Sequence, residues 1–113
     1  MTAATFSDIA CLGKLVYSAG VFTRIESDAD FSADAQDALG SFMRRDWGDT
    51  CEEDSDSNNA SIAAAEAGNP GGTVMGSYTT RDGTKLWVLC SGYGQHKLGA
   101  DYCYTTILFP SEY

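Results

Sequence analysis

Six carboxylates stand between Asp46 and Asp56 with no lysine or arginine among them: Asp46, Asp49, Glu52, Glu53, Asp54 and Asp56. Residues of this type at this spacing can hold a divalent cation, meet a basic partner, or simply solvate a surface. A calcium loop needs a glycine at its sixth position and a glutamate at its twelfth. Asp54-x-Asp56-x-Asn58 imitates the first half of such a loop, but position six is Asn59 and position twelve is Ala65. Cation binding of that kind is not expected. Charge presented to a basic partner fits better. Eleven residues wound as helix span about 16 Å, which gives roughly one charge per 2.7 Å. Duplex DNA carries one per about 1.7 Å and a single strand one per about 3.4 Å. The run thus has a density near that of a nucleic-acid strand. An acidic, solvated face is the plainer alternative.

Catalytic chemistry is poorly represented. His96 is the only histidine, and nothing in its Gly-Tyr-Gly-Gln-His-Lys surroundings marks a nucleophile and its base. Gly68 to Gly72 has the glycines of a phosphate loop without its lysine and hydroxyl residue. We expect no catalytic residues and no cofactor. Cys11, Cys51, Cys90 and Cys103 lie 40, 39 and 13 residues apart with no close pair, whereas zinc sites usually contain one. Buried thiols in a reducing compartment are the expectation, with one disulfide or a cysteine metal site as alternatives.

The charge is uneven along the chain. Residues 26–66 hold twelve acids against Arg44 and Arg45, and the remainder holds four acids against five bases. Direct nucleic-acid binding needs a basic face that displaces counterions, and this asymmetry argues against it. A basic protein surface, reached through electrostatic steering, suits this balance.

The 113 residues are enough for one domain, 1–113, with a core of its own. No apolar run approaches the roughly 20 residues of a spanning helix. No basic segment followed by an apolar run marks a secretory signal, so a cytoplasmic protein without membrane contact is expected.

Two kinds of element must position these residues. Ile9, Leu12 and Val16 recur at helical spacing, with Ser7 or Asp8 as cap and Gly20 as stop. Residues 28–31 read as a loop. Ser32 is placed to cap a second helix with Ala35, Leu39, Phe42 and Met43 on its apolar face, ended at Trp47-Gly48. Thr50 and Glu53 have the spacing of a capping box, and a helical turn should follow. Ser55 to Asn59 are poor helix formers, where a break is expected before Ala60 to Ala67.

Beyond Thr73 the pattern turns to strand. Asp82-Gly83 is a two-residue hairpin signal, which pairs Thr79 with Leu86, Tyr78 with Trp87 and Ser77 with Val88. A symmetric return through the Gly-rich segment 91–100 sets Cys90 opposite Cys103 and Val88 opposite Thr105. The expected fold is α+β: a three-stranded antiparallel meander (about 73–80, 85–91 and 102–109) with N-terminal helices on one face. The aliphatic face would hold Met75, Leu86, Val88, Cys90, Cys103, Ile107 and Phe109. The aromatic face would hold Tyr78, Trp87, Leu89, Tyr102, Tyr104 and Leu108. Left open, that second face is a binding surface; covered by residues 1–25, it is core.

Some of these residues also occur in a suggestive order. They are Asp46-Trp47-Gly48-Asp49, Glu53-Asp54, Ser77-Tyr78, Gly83-Thr84-Lys85-Leu86-Trp87-Val88-Leu89, and the ending Thr105-Thr106-Ile107-Leu108-Phe109-Pro110-Ser111-Glu112-Tyr113. The order resembles an uncharacterised family of short proteobacterial, plasmid and phage proteins, over roughly residues 8–113. This chain departs from it at Ser91 to Tyr104, where the family has a shorter, more charged connection. The resemblance implies a mobile genetic element and a small acidic inhibitor of host defence, of the anti-CRISPR or anti-restriction type. The expected partner is the basic nucleic-acid-binding surface of a Cas or restriction complex. The expected contact residues are Asp46, Asp49, Glu52, Glu53, Asp54 and Asp56, with Tyr78, Trp87 and Tyr104 on the sheet. A plasmid or phage regulatory protein that binds through the aromatic sheet face is the alternative.

Overall fold

A strand opens the described chain where a helix was expected. Residues 12–99 and 101–113 are described in the computed structural model, so Ser7, Asp8, Ile9 and Cys11 lie outside them. Strand β1 spans Lys14–Tyr17 and lies parallel to β4 (Tyr104–Leu108), with Val16 beside Thr106. Gly13 makes this approach workable: at φ 66° it sits so close to Cys103 that a Cβ would lie 2.3 Å from its carbonyl oxygen. Gly20 does not end a helix. It lies in the first turn of α1 (Ala19–Ser27), whose Val21 amide is capped by the Ser18 hydroxyl.

Asp28 separates α1 from α2 (Ala29–Met43) as a single extended residue, and its carboxylate accepts from the Phe31 amide at 3.0 Å. The cap is therefore Asp28 rather than Ser32, and residues 29–31 are helical rather than a loop. The apolar stripe shifts with it. Phe31, Ala35, Ala38 and Phe42 are buried, while Met43 points outward. Helices α1 and α2 pack on one face of the sheet.

Helix α3 (Glu52–Glu66) runs unbroken through Ser55 to Asn59. Its polar stretch is tolerated because Asn58 is used in tertiary structure. The sheet order is β1-β4-β3-β2, which leaves β2 (Gly72–Thr79) at an edge beside β3 (Lys85–Tyr93). Outward-facing amides and carbonyls of an edge strand need partners. The Asn58 amide supplies both for Met75, accepting from its N–H at 2.9 Å and donating to its carbonyl at 2.7 Å. Ser77 is served by the loop before α3. Its N–H donates to the Thr50 hydroxyl at 2.9 Å, and its carbonyl accepts from the Asp49 amide at 2.6 Å. The capping box is therefore not formed. Thr50 bonds to β2, Cys51 is the cap residue, and no side chain caps α3.

The sheet has four strands and is mixed, so the expected meander of three is only its antiparallel part. Its register differs too. The hairpin loop has three residues, Arg81, Asp82 and Gly83, closed by Thr80 and Thr84. The Thr80 amide donates to the Thr84 carbonyl at 2.9 Å, and Gly83 takes φ 88°. The Asp82 carboxylate stabilises this longer turn by accepting from the amide and hydroxyl of Thr84 and from the Thr80 hydroxyl. One extra residue slips the pairing by one, so Tyr78 faces Leu86 and Trp87 faces Ser77. Tyr78 and Trp87 thus lie on opposite faces. Tyr78 joins Val74, Leu86, Val88, Cys90 and Ile107 in the core, and Met75 moves to the outer face with Trp87 and Leu89. On the other side of β3, Cys90 faces Thr105 instead of Cys103, because the connection 94–103 contains a 3-10 turn at His96–Leu98 and is not symmetric. Among the described residues no helix is long and apolar enough to cross a membrane.

Asn58→Ala leaves both Met75 groups unpaired at an edge and should cost about 2–4 kcal/mol. Asn58→Asp should cost a similar amount at neutral pH, since a carboxylate cannot donate to the Met75 carbonyl. Chemical denaturation measures both. A loss below about 0.5 kcal/mol in either variant would show that α3 is held by packing alone.

Candidate functional site

The acids of the 46–56 run are all exposed, but they do not form one patch. At about 100° per residue, Glu52, Glu53 and Asp56 share a sector of roughly 100° on the solvent side of α3. Asn58 and Ile62 occupy the buried side. Asp54 points elsewhere, to the rim of a groove of about 180 Å³ between α3 and the outer sheet face. Asp46 and Asp49 lie in the loop before α3. With Asp34 and Asp37 of α2 they line a cleft of about 350 Å³ beside Tyr78 and Thr79. The sequence reading missed these two α2 acids, although their spacing of three residues puts them on one helix face.

The neighbouring cations are spent on α2 and on the hairpin turn. Arg81 grips Asp34 at 2.9 Å and reaches Asp30 at 3.4 Å. Arg24 bridges Asp28 and Asp82, and Lys85 meets Asp49 at 3.2 Å. Among the described residues Glu52, Glu53, Asp54 and Asp56 make no ion pair. The first three lie in the first turn of α3, where the helix dipole favours negative charge and no side chain caps the amides. That role accounts for Glu52, Glu53 and Asp54. It does not account for Asp46 or Asp56.

The aromatic residues divide as well. Tyr78 is buried, lies over Gly76, and donates its hydroxyl to the Asp46 carbonyl at 2.8 Å. Burial, then the Asp46 charge, push its phenol well above the ordinary range. It is a core residue that supports the acidic loop and lines the cleft beside it. A glycine two residues before a tyrosine on a strand is the signal that could have revealed this. Trp87 is half-buried on the outer face, its ring edge-on to Tyr113 with centroids 5.5 Å apart. Tyr104 is exposed on the same face, opposite Ser91 and Lys14. The last turn is pinned by Glu112, which accepts from the Ser18 hydroxyl, the Gly20 amide and the Phe109 amide.

For metal chemistry, no group of three or more His, Cys, Asp or Glu able to hold an ion occurs among the described residues. Positions 54–65 are helical, so the partial calcium-loop motif has no loop to form. Cys51 is exposed just before α3, whereas Cys90 is buried in β3 and Cys103 is buried just before β4. His96 lies in the short turn after β3. No protein-family model, curated protein or solved structure matches the chain.

Several carboxylates are held below their usual range. Neighbouring hydroxyls act first on Asp49, Asp82 and Glu112, the Arg81 guanidinium on Asp34, and the Phe31 amide on Asp28. A carboxylate with a depressed folded pKa contributes stability that is present above its unfolded value, near pH 4, and is lost as pH falls through the folded value. Unfolding midpoints should therefore be level from about pH 7 to 5 and decline below about pH 4. Midpoints that rise on acidification would show that relief of acidic self-repulsion outweighs these bonds.

Proposed function

We propose that the protein is a non-catalytic anti-defence protein whose acidic side occupies a basic nucleic-acid-binding surface of a host effector, such as a Cas or restriction complex. The observation that carries this reading is the group of unpaired carboxylates on the first two turns of α3. They project from a helix fixed to the sheet, so their spacing is set before a partner arrives. A preordered charge array loses less conformational freedom on binding than a flexible acidic tail does. Asp46 and Asp49 stand apart from them in the loop before α3, where Lys85 already pairs with Asp49. The resemblance to a mobile-element family, and a cytoplasmic setting, belong to the same reading. The outer sheet face, with Trp87 and Tyr104, is the competing contact surface.

Purified Cas and restriction complexes, each tested for nucleic-acid binding with and without the protein, provide the assay. At least one should be blocked at near-equal stoichiometry, and the block should weaken steeply with salt because exposed charges are screened. Changing Asp49, Glu52, Glu53, Asp54 and Asp56 to Asn or Gln should abolish it. This variant also loses dipole stabilisation of α3, about 0.3–1 kcal/mol per first-turn acid, so its folding is checked by circular dichroism. A block that survives these changes yet fails in a folded Trp87→Ala protein would assign binding to the sheet.

A further inference from the structure

We propose that the groove between α3 and the outer sheet face receives an arginine side chain of the basic partner. The inference rests on the reading above, in which the acidic side meets a basic protein.

Met75 and Leu89 form the floor of this groove, Asp54 stands on one side and Tyr113 lines it. The side chains match the parts of an arginine. An apolar floor suits its methylene stem. A carboxylate with no ion pair among the described residues suits its guanidinium. A tyrosine ring offers a face for cation–π stacking. The ring is also pre-positioned, since Trp87 packs edge-on against it and Glu112 pins the turn just before it. Among the described residues no lysine, arginine or histidine lines the groove to compete for it. The larger acidic cleft differs in this respect. Arg81 already stands in it on Asp34, and its Asp49 is held by Lys85. Arginine suits the groove better than lysine because its planar head stacks on a ring and bonds a carboxylate at once.

The test uses hexa-arginine and hexa-lysine peptides, titrated calorimetrically at low salt, with the Trp87 indole and Tyr113 ring signals followed by NMR. Hexa-arginine should bind more tightly and shift both signals. Asp54→Asn should weaken it about fivefold more than Glu52→Gln, which removes the same charge from the far side of the same helix. Tyr113→Ala should weaken it comparably, and Tyr113→Phe should restore it. Equal losses for Asp54→Asn and Glu52→Gln, or ring signals that do not move, overturn the groove while leaving the acidic-surface reading intact. Failure of the unmodified protein to bind either peptide overturns both.

Discussion

Satisfying the outer edge of β2 is the constraint from which the rest of the architecture follows. An edge strand must place its outward amides and carbonyls somewhere, and here the partners come from the segment immediately before it in the chain. Asn58 acts as a one-residue substitute for a neighbouring strand at Met75. The backbone around Gly48 does the same at Ser77. Gly48 has no substitute there, since at φ 65° a Cβ would lie 2.3 Å from the Ser77 carbonyl oxygen. These bonds set both the position of α3 and its rotation. Once Asn58 and Ile62 face inward, Glu52, Glu53 and Asp56 must face outward. The charged surface is a by-product of how the edge is closed.

The helix that carries this charge is not self-sufficient. Its cap residue is a cysteine whose side chain makes no capping bond, and its middle is rich in Ser and Asn. First-turn acids compensate through the dipole, so part of the acidic run has a structural role. The cations are distributed to match. Arg24, Arg81 and Lys85 cluster around the hairpin turn and α2, neutralising the acids that pack near one another. On α3, Glu66 meets Arg45 at 3.9 Å, while Glu52, Glu53 and Asp56 make no ion pair among the described residues and face solvent.

Much of the architecture was legible from periodicity and turn chemistry. The α+β class, the second helix, the position of the hairpin and the approximate extents of three strands follow from local pattern. What escaped was set by tertiary bonds. Thr50 and Glu53 have the spacing of a capping box, but Thr50 bonds Ser77, twenty-seven residues away. Ser55 to Asn59 look like a break until Asn58 is given its partner. Asp82-Gly83 marks the turn correctly without revealing its length. The Asp82 carboxylate gathers Thr80 and Thr84 around a three-residue loop, and that single residue moves Tyr78 into the core. The strand Lys14–Tyr17 is too short for its alternation to outweigh a helical stripe that includes Leu12 and Val16. Its identity depends on parallel pairing with a segment ninety residues later. The exposed acids of the candidate site were visible in the sequence. The α2 acids beside them and the Asp54 groove required the packing.

Charge and shape have separate tasks on such a surface. Unpaired carboxylates on a rigid helix act over distance, so for the basic partner proposed above they would raise the rate of encounter and orient it. They discriminate weakly, because any cation satisfies them and salt screens them. Discrimination needs groups that act only at contact, and these occur where α3 meets the outer face of the sheet. There one carboxylate, an aromatic ring and an apolar floor converge in a single groove. The hairpin slip contributes to this arrangement: by moving Tyr78 inward it moves Met75 outward, from the core to the floor of that groove. A one-residue difference in a turn thus gives the outer face a defined recess beside the acidic helix, on the face where Tyr78 was expected to stand with Trp87 and Leu89.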